Sequence, residues 1–394
     1  MGALVYINYF VVMFANIVNI PVEHQVFLHF KRKAKKKLKA MPNLKVIGIT
    51  GSYGKTSCKN ILNDILNVDF ISSTTPKNYN TTYGMILTVN NYLDKFNEIF
   101  IADMGAFQRG DIKKICDFVK PQYGILTKVG TAHLESFGSQ ENIQNGKFEV
   151  IESLPEDGLA VLNRDDELQV SYHLKNHCRV IWIGIDSEDA DVRATNLKFD
   201  YHGTSFDCTF KGDDTVYHFE TCLLGKNNVY NILGALALGN AFGISKDKLI
   251  LGVKKVKPIA HRLELKKMGN IHIIHDDYNS NPVGAKAAID VLKLMPGKRV
   301  IVTPGMIELG NREYELNLEF GRQIAEVCDE VILVGEQQTK PILEGLQLEN
   351  YPKEKIHVIN NVVLSYQLLQ QMKENKKDLY ALFENDLPDQ YNEK

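Results

Sequence analysis

The chain has little of what marks disulfide-rich, zinc-ribbon or nucleic-acid-binding proteins. Its six cysteines are scattered and form no C-x-x-C pair, which argues against a zinc ribbon and gives no disulfide framework. The formal net charge is only −2 over 394 residues, so no overall nucleic-acid-binding face is indicated. No internal repeat is visible. The composition, 44% aliphatic and aromatic, is that of a globular protein whose thiols are reduced.

The amino terminus combines an apolar stretch with a basic cluster. Residues 3–20 are apolar apart from three asparagines, and residues 31–39 carry seven positive charges. Lysine and arginine beside a span mark the cytoplasmic side, so we expect membrane association through residues 3–39, with a cytoplasmic catalytic body on the inner face of the cell membrane. A secretory signal peptide is disfavoured, because no positive charge leads the stretch. The alternative is an amphipathic or buried helix followed by a solvated basic helix.

Beyond residue 42, strand-like apolar runs alternate with helical patterns, which indicates an α/β fold with a parallel, doubly wound sheet. The stretch 194–223 instead suggests a small antiparallel sheet appended to the first. A second, Rossmann-like α/β unit begins near residue 258. We predict an apolar N-terminal helix with a basic linker over 1–41, a P-loop-type central ATPase domain over 42–257 and a C-terminal domain over 258–394, with a hinge at 258–262.

The predicted elements of the two units are the following. The strands are 45–49, 98–104, 123–129, 159–163, 180–183, 271–275, 300–303, 330–334, 355–358 and 379–383. The helices are 55–66, 82–93, 109–118, 141–152, 227–243, 282–294 and 314–327.

The most informative motif is a glycine-rich turn between a predicted strand and a predicted helix. Glycines let backbone N–H groups close on phosphate oxygens, Lys55 supplies a cation for the outer phosphates, and the Thr56 hydroxyl can hold Mg²⁺. Five residues separate Gly48 from Gly54, where the usual phosphate loop has four. The strand–turn–helix order nevertheless predicts that a nucleoside triphosphate binds here. The predicted loop residues are Thr50, Gly51, Ser52, Tyr53, Gly54, Lys55, Thr56 and Ser57.

Three further residues are candidates for the chemistry. Asp103 ends an apolar strand, and ligands of nucleotide-binding sheets lie at the carboxyl ends of strands, so Asp103 is placed to bind the Mg²⁺ that Thr56 also contacts. The alternative is a helix-capping or turn aspartate. His133 follows the next strand, which suits a metal or phosphate role. Lys147 lies in a predicted helix and, taken alone, is typical of a surface lysine.

Taken in order, the motifs resemble those of the Mur ligases, the ATP-dependent amide ligases of peptidoglycan precursor synthesis. The resemblance runs from residue 42 to the carboxyl terminus. It is strongest to the branch that joins D-alanyl-D-alanine to a UDP-N-acetylmuramoyl-tripeptide. Each motif is weak alone, and the ordered set is specific. The motifs are TGSYGKTS at 50–57, NYN at 78–80, DMGA at 103–106, AHLE at 132–135, KFE at 147–149, NRDD at 163–166, NNVYN at 227–231, HRLE at 261–264 and DYNSNP at 277–282.

The resemblance implies a role for each matching residue. Thr56 and Asp103 would hold one Mg²⁺, and His133 would bind a second Mg²⁺ near the transferring phosphate. Lys147 matches the lysine that the family carbamylates, and a carbamate anion could bind that second metal. Arg262 would reach the ATP phosphates from the C-terminal side, as Lys55 does from the loop. The other implied nucleotide contacts are Asn228, Asp277 and Tyr278, and the implied substrate contacts are Asn78, Asn80, Asn279 and Asn281.

The implied reaction is an ATP-dependent, ADP-forming amide ligation through an acyl phosphate. Its expected partners are a nucleotide-sugar peptide and a dipeptide, with no nucleic acid, and the chain is expected to be monomeric. Two alternatives remain open. One is a related amino-acid ligase that acts on a lipid-linked, folate-like or poly-γ-glutamate acceptor, and the other is a membrane-tethered scaffold that binds nucleotide without catalysis.

The sequence departs from the family pattern in several places. Asp103 stands where the family has a glutamate, Asn227 where it has a histidine, and His275 where an acid is common. The family's N-terminal UDP-sugar-binding domain should precede Pro42, where about forty residues stand, too few for such a domain. Either the UDP group is held differently or the acceptor is membrane-borne.

Overall fold

A mostly parallel β-sheet organises the first part of the chain. The computed structural model describes residues 2–130, 134–278, 280–307, 309–373 and 377–386. The strands of this sheet are β1 (Lys45–Thr50), β2 (Ser72–Thr74), β3 (Ile99–Asp103), β4 (Tyr123–Leu126), β5 (Leu159–Asn163), β6 (Arg179–Gly184), β7 (Val192–Asp200), β8 (Gly203–Phe210) and β9 (Asp213–Thr221). Within the described residues their order is β2-β3-β1-β4-β5-β6-β7-β8-β9.

Helices cover both faces of this sheet. Strands β3 and β5 are buried along their whole length, as expected of parallel strands packed on two sides. The helices are α1 (Gly2–Lys39), α2 (Lys55–Leu66), α3 (Thr82–Asn91), α4 (Asp111–Val119), α5 (Leu134–Phe137), α6 (Gln140–Glu152), α7 (Glu167–Val170), α8 (Lys226–Ala241) and α9 (Lys246–Lys255). Helices α2, α8 and α9 share one hydrophobic core, and α3, α4 and α6 share the other.

The last three strands of this sheet run in alternating directions. Strand β7 pairs in parallel with β6, whereas β8 is antiparallel to both β7 and β9. Phe206 and Phe219 stack across this part of the sheet, with ring centroids 5.5 Å apart. The expected antiparallel addition is therefore continuous with the parallel strands.

A second sheet follows, with helices of its own. Its strands are β10 (Glu264–Met268), β11 (Ile271–Asp276), β12 (Lys298–Thr303), β13 (Glu330–Val334), β14 (Ile356–Ile359) and β15 (Leu379–Glu384). In the described part of the chain the order is β10-β11-β15-β12-β13-β14, with β10 antiparallel to β11 and the other neighbours parallel. The helices are α10 (Pro282–Lys293), α11 (Glu313–Ala325), α12 (Lys340–Leu348) and α13 (Val363–Gln371), with 3₁₀ turns at Gly310–Arg312 and Lys353–Lys355.

The predicted α/β architecture is confirmed, with element ends shifted by about one to three residues, as is usual at frayed ends. Strand β2 is too short for a hydrophobic pattern to indicate it. The domain boundaries at residues 42 and 258 stay a prediction, and the predicted units 42–257 and 258–394 each contain one of the two sheets.

Helix α1 joins the apolar stretch and the basic cluster in one element. It runs for 38 residues through Pro21, and its Val11–Lys39 part is long and apolar enough to cross a membrane by length and composition. Its second half packs on the body: Ala34 is fully buried, and Phe27 and Leu38 contact the core beneath α3. The Asn90 side chain donates to the carbonyl of Phe30 at 3.1 Å. The basic segment is thus part of a docked helix, while the described apolar side chains between Val11 and Val22 are exposed.

Two truncations of α1 separate these halves. A chain that begins at residue 25 keeps the contacts of Phe27, Ala34 and Leu38, so we expect its free energy of unfolding to match that of the full chain. A chain that begins at residue 42 uncovers the same core, and burial of each apolar side chain is worth roughly 1.5–3 kcal/mol, so its stability should fall by a few kcal/mol. Urea unfolding in the same detergent buffer measures the free energy of unfolding of the full chain and of both truncations. Equal stability of the two truncations would contradict the docking.

Candidate active site

The loop between β1 and α2 is held by the neighbouring strand β4 and the residues after it. Gly51 has φ 153° and Gly54 has φ 80°. A Cβ on Gly51 would lie 1.9 Å from Oγ1 of Thr127, so this position admits glycine alone. The Thr127 hydroxyl donates to the carbonyl of Tyr53 at 2.6 Å, and the Ser52 N–H donates to the carbonyl of Lys128 at 2.8 Å. The predicted phosphate loop is therefore pre-shaped at the carboxyl edge of the sheet.

Lys55, the first residue of α2, folds back over this loop. Its ammonium donates to the carbonyl of Gly51 at 2.8 Å. Burial lowers the pKa of Lys55, Asp103 opposes that shift, and the nearby positive charge of Arg262 adds to it. Lys55 and Arg262, from different parts of the chain, thus lie close enough to repel each other, and bound phosphates would relieve this repulsion.

Asp103 is a buried carboxylate at the end of β3. The pairing of β1 with β3 sets Asp103 beside Ile49, directly below the loop. The side chain is 1% exposed, and Oδ2 lies 4.0 Å from Nζ of Lys59. Among the described residues Oδ1 has no hydrogen-bond partner. Burial raises the pKa of Asp103, and the charges of Lys55, Lys59 and Lys147 lower it.

A buried carboxylate oxygen without a partner fits the hard cation that the family implies. Mg²⁺ prefers carboxylate, hydroxyl and phosphate oxygens. Asp103 and Thr56, which is partly buried in the first turn of α2, could supply the protein ligands. This donor chemistry matches Mg²⁺ and would suit a soft metal poorly.

Lys147 is also enclosed, contrary to what its residue type alone suggests. It lies in α6 with no exposed surface, and within the described chain its Nζ has no hydrogen-bond partner. Nζ lies 5.3 Å from the ring centroid of Phe137. The pKa of Lys147 is lowered to about 7, mainly by burial and also by the positive charge of Lys55, against the opposing effect of Asp103. A substantial fraction of this amine is therefore neutral near pH 7.

The second sheet contributes Arg262 from the predicted hinge segment. The guanidinium lies 4.4 Å from the ring centroid of Tyr278, and burial lowers the pKa of Arg262 while Asp276 raises it. The residues on either side, His261 and Leu263, have left-handed backbones with φ 61° and 51°. This uncommon backbone turns the chain so that Arg262 acts on the site in the first sheet.

The predicted acceptor loop lies against the Asp103 segment. The N–H of Gly105 donates to the carbonyl of Asn80 at 2.8 Å, and the N–H of Asn80 donates to that of Asn78 at the same distance. Nζ of Lys59 donates to the carbonyls of Thr75 and Lys77 at 2.8 and 2.9 Å. The predicted acceptor loop, Lys59 of α2 and the buried carboxylate of Asp103 are thus adjacent.

Other predicted residues have structural partners or are not described. The Asn228 amide donates to the carbonyl of Leu224 at 2.9 Å. Asn281 caps α10, where its side chain accepts from the N–H of Gly284. Ser57 lies in the first turn of α2, and Asp277 and Tyr278 follow β11. His133 and Asn279 lie outside the described residues.

Four residues of the site were not predicted. Lys59 stands one helical turn after Lys55, so the i, i+4 spacing could have indicated it. Asn231 of α8 lies beside Gly54, where an added Cβ would be 3.5 Å from its Oδ1. Asp276, with its pKa raised to about 6 by burial, adjoins Arg262, and Thr127 holds the loop. The latter two give no sequence signal.

Comparison with known proteins agrees with this arrangement. The models of the Mur ligase middle domain and of the Mur ligase, glutamate ligase domain match residues 49–239 and 261–382. The chain is 32% identical over 336 residues to the UDP-N-acetylmuramoyl-tripeptide–D-alanyl-D-alanine ligase of Bacillus subtilis, covering 84% of this chain and 70% of that one. This chain belongs to the Mur ligase family. It is therefore an ATP-dependent, ADP-forming ligase by family.

Two further relatives are similar over most of the chain. The ligase of the same name from Escherichia coli is 30% identical, covering 74% of this chain and 65% of its own length. The structure of MurF ligase from Thermotoga maritima in complex with ADP superposes with a TM-score of 0.78 at 26% identity, covering 91% of this chain and 80% of that one. The similarity thus extends over both sheets of this Mur ligase.

The buried amine of Lys147 predicts a particular dependence of stability on pH. The pKa of Lys147 is about 7 in the folded chain, against 10.5 for an ordinary lysine in the unfolded chain. Between pH 7 and 10.5 the unfolded chain therefore binds more protons, so the free energy of unfolding rises with pH in this range. In CO₂-free buffer, Lys147→Met should be more stable than the parent by a few kcal/mol at or below pH 7. The difference should shrink as the pH approaches 10. Urea unfolding across this range measures it, and a pH-independent difference would contradict a buried amine.

Proposed function

We propose that this Mur ligase joins D-alanyl-D-alanine to a UDP-N-acetylmuramoyl-tripeptide, with ATP converted to ADP and phosphate. The observation that carries the proposal is the convergence of Lys55, Asp103, Lys147 and Arg262 on one partly enclosed site at the edge of the first sheet. The site has an excess of positive charge, which suits the phosphates of a nucleotide. Family membership and the named relatives support the choice of substrates.

The chemistry follows from this charge distribution. A carboxylate oxygen of the tripeptide attacks the γ-phosphorus of ATP, the bond to the β-γ bridging oxygen breaks, and ADP leaves. The dipeptide amine then attacks the acyl carbon, inorganic phosphate leaves and one proton is released. Lys55 and Arg262 balance charge on the transferring group, and loop N–H groups orient it. Mg²⁺, held by Thr56 and Asp103, would supply further charge neutralisation.

Lys147 suits modification by carbon dioxide. A neutral amine adds to CO₂ and releases a proton, which converts the side chain into a carbamate anion. The pKa of Lys147, about 7, makes the neutral amine available. Its Nζ is buried near the charges of Asp103 and Lys55 and has no hydrogen-bond partner among the described residues. Carbamylated Lys147 would offer oxygen ligands to a second Mg²⁺. His133 would offer an imidazole nitrogen to the same ion.

The first half of α1 supports attachment to the inner face of the cell membrane. Val11, Phe14, Val18 and Val22 are each more than half exposed in a helix whose second half is fixed to the body. We propose that the chain works there as a monomer. The same observation favours a second candidate acceptor, a muramoyl-peptide carried on a lipid. An enzyme attached to the membrane and a lipid-linked substrate would diffuse on the same surface and so encounter each other more often.

Catalysis requires the charges around the loop. ADP formation by the detergent-solubilised full chain, with Mg²⁺ and ATP, should depend on both the UDP-linked tripeptide and D-alanyl-D-alanine. Lys55→Met and Asp103→Asn should each lower kcat/KM by roughly a hundredfold or more, as loss of a preorganised electrostatic group does. Lys175→Met, at an exposed lysine, is the control.

The outcomes separate the candidates. Turnover with the lipid-linked but not the UDP-linked acceptor would favour the second candidate. Bound ATP without turnover on either acceptor would indicate a non-catalytic scaffold. Near-normal activity of both site variants would contradict the site itself.

The carbamate of Lys147 can be tested by chemical rescue. Lys147→Ala should be inactive and should regain part of its activity with added formate or acetate. A small carboxylate can occupy the space that the shortened side chain leaves and bind the proposed second Mg²⁺. Lys59→Ala is the matched control: Lys59 is also buried, but its ammonium donates to two carbonyls, so an anion cannot replace it. Full activity of Lys147→Ala, or equal rescue of both variants, would contradict the carbamate.

A further inference from the structure

Two imidazoles converge on one carboxylate beside the predicted hinge. Nδ1 of His261 lies 2.5 Å from Oδ1 of Asp277, and Nδ1 of His275 lies 3.0 Å from Oδ2 of the same side chain. One potential ligand atom from each of the three residues lies within 4.8 Å of the other two. The two rings are at 71° to each other, with centroids 5.9 Å apart, so their nitrogens can point to one place without stacking.

The β10–β11 hairpin fixes this arrangement. His261 precedes β10 in the left-handed backbone position already described, while His275 lies near the end of β11 and Asp277 follows it. In the hairpin Glu264 pairs with His275, and Oε2 of Glu264 accepts from the N–H of His261 at 3.3 Å. A second carboxylate therefore stands next to the cluster.

The donor set determines which ligand fits. Two imidazole nitrogens with a carboxylate oxygen form a common set for zinc-type ions, whereas Mg²⁺ prefers oxygen alone. Three protein ligands leave one tetrahedral position for water or a neighbouring carboxylate. His261 is half exposed, so an ion can enter from solvent.

We propose that His261, His275 and Asp277 bind a zinc-type first-row divalent cation at a site separate from the oxygen-donor site of Thr56 and Asp103. The ion takes the place of the protons that now link the imidazoles to the carboxylate. It joins the hinge segment to the end of β11, next to the Tyr278 ring on which Arg262 packs. Within the hairpin Lys266 pairs with Glu264 at 3.1 Å, which leaves Asp277 as the carboxylate held by the histidines.

Cobalt and zinc binding test the site directly. The full chain, in detergent and without a polyhistidine tag, is stripped with chelator and kept in excess Mg²⁺, which competes for oxygen-donor sites. Co²⁺ titration should give visible ligand-field absorption that saturates at one equivalent, and Zn²⁺ should displace it. His261→Asn and His275→Asn should each weaken Zn²⁺ binding by roughly tenfold or more, by loss of one ligand.

The matched control is His218→Asn. Nδ1 of His218 lies 2.8 Å from Oδ1 of Asp207, so it forms the same imidazole–carboxylate pair, and among the described residues no second imidazole joins it. His218→Asn should bind Zn²⁺ with the affinity of the parent chain. Asp277→Asn should bind Zn²⁺ more weakly than the parent. Melting curves check that each variant is folded.

Two results would overturn the proposal. One is no saturable Co²⁺ signal in the parent chain, which would leave a hydrogen-bonded cluster only. The other is a signal that survives both histidine substitutions and disappears in His218→Asn. Ligase activity is assayed separately, so either result leaves the proposed function unaffected.

Discussion

The carboxylate of Asp103, buried among lysines, is the interaction on which the candidate site depends. A lone charge at this depth would be costly, and its neighbours Lys55, Lys59 and Lys147 offset that cost. The converse also holds, because Asp103 raises the pKa of each of these amines against the lowering effect of burial. Asp103 alone cannot balance both Lys55 and Lys59, so the site keeps a positive excess that anionic phosphates can neutralise.

Rigid backbone around this cluster sets its geometry. The parallel pairing of β1 with β3 and β4 brings the loop, Asp103 and Thr127 to one edge, and Thr127 and Lys128 then hold the loop through hydrogen bonds. Arg262 arrives from the other sheet on a segment with left-handed backbone. A change in the angle between the sheets would move Arg262 relative to Lys55 and leave Asp103 in place.

How much the sequence predicts depends on how local the signal is. The strand–loop–helix unit around Lys55 is contiguous, so its pattern predicts both the fold and the phosphate loop. Lys147 looks like a surface lysine in sequence, and only the ordered family motifs indicate its role. The pair of His261 with Asp277 is created by a hairpin, which composition and spacing do not indicate. The docking of α1 is hidden in sequence because two of the residues that contact the core, Ala34 and Leu38, stand among lysines.

The three lysines around Asp103 also differ in what they can do. Lys59 is fixed by two carbonyl acceptors, and Lys55 donates to the carbonyl of Gly51, so both are held as cations by their partners. Within the described residues, Nζ of Lys147 is buried without any acceptor. An ammonium there has the charge of Asp103 nearby but no hydrogen-bond acceptor among the described residues, whereas a neutral amine needs none. The fold therefore supplies hydrogen-bond acceptors to two of these lysines and, within its described part, none to the third, which is what the proposed carbamate of Lys147 requires.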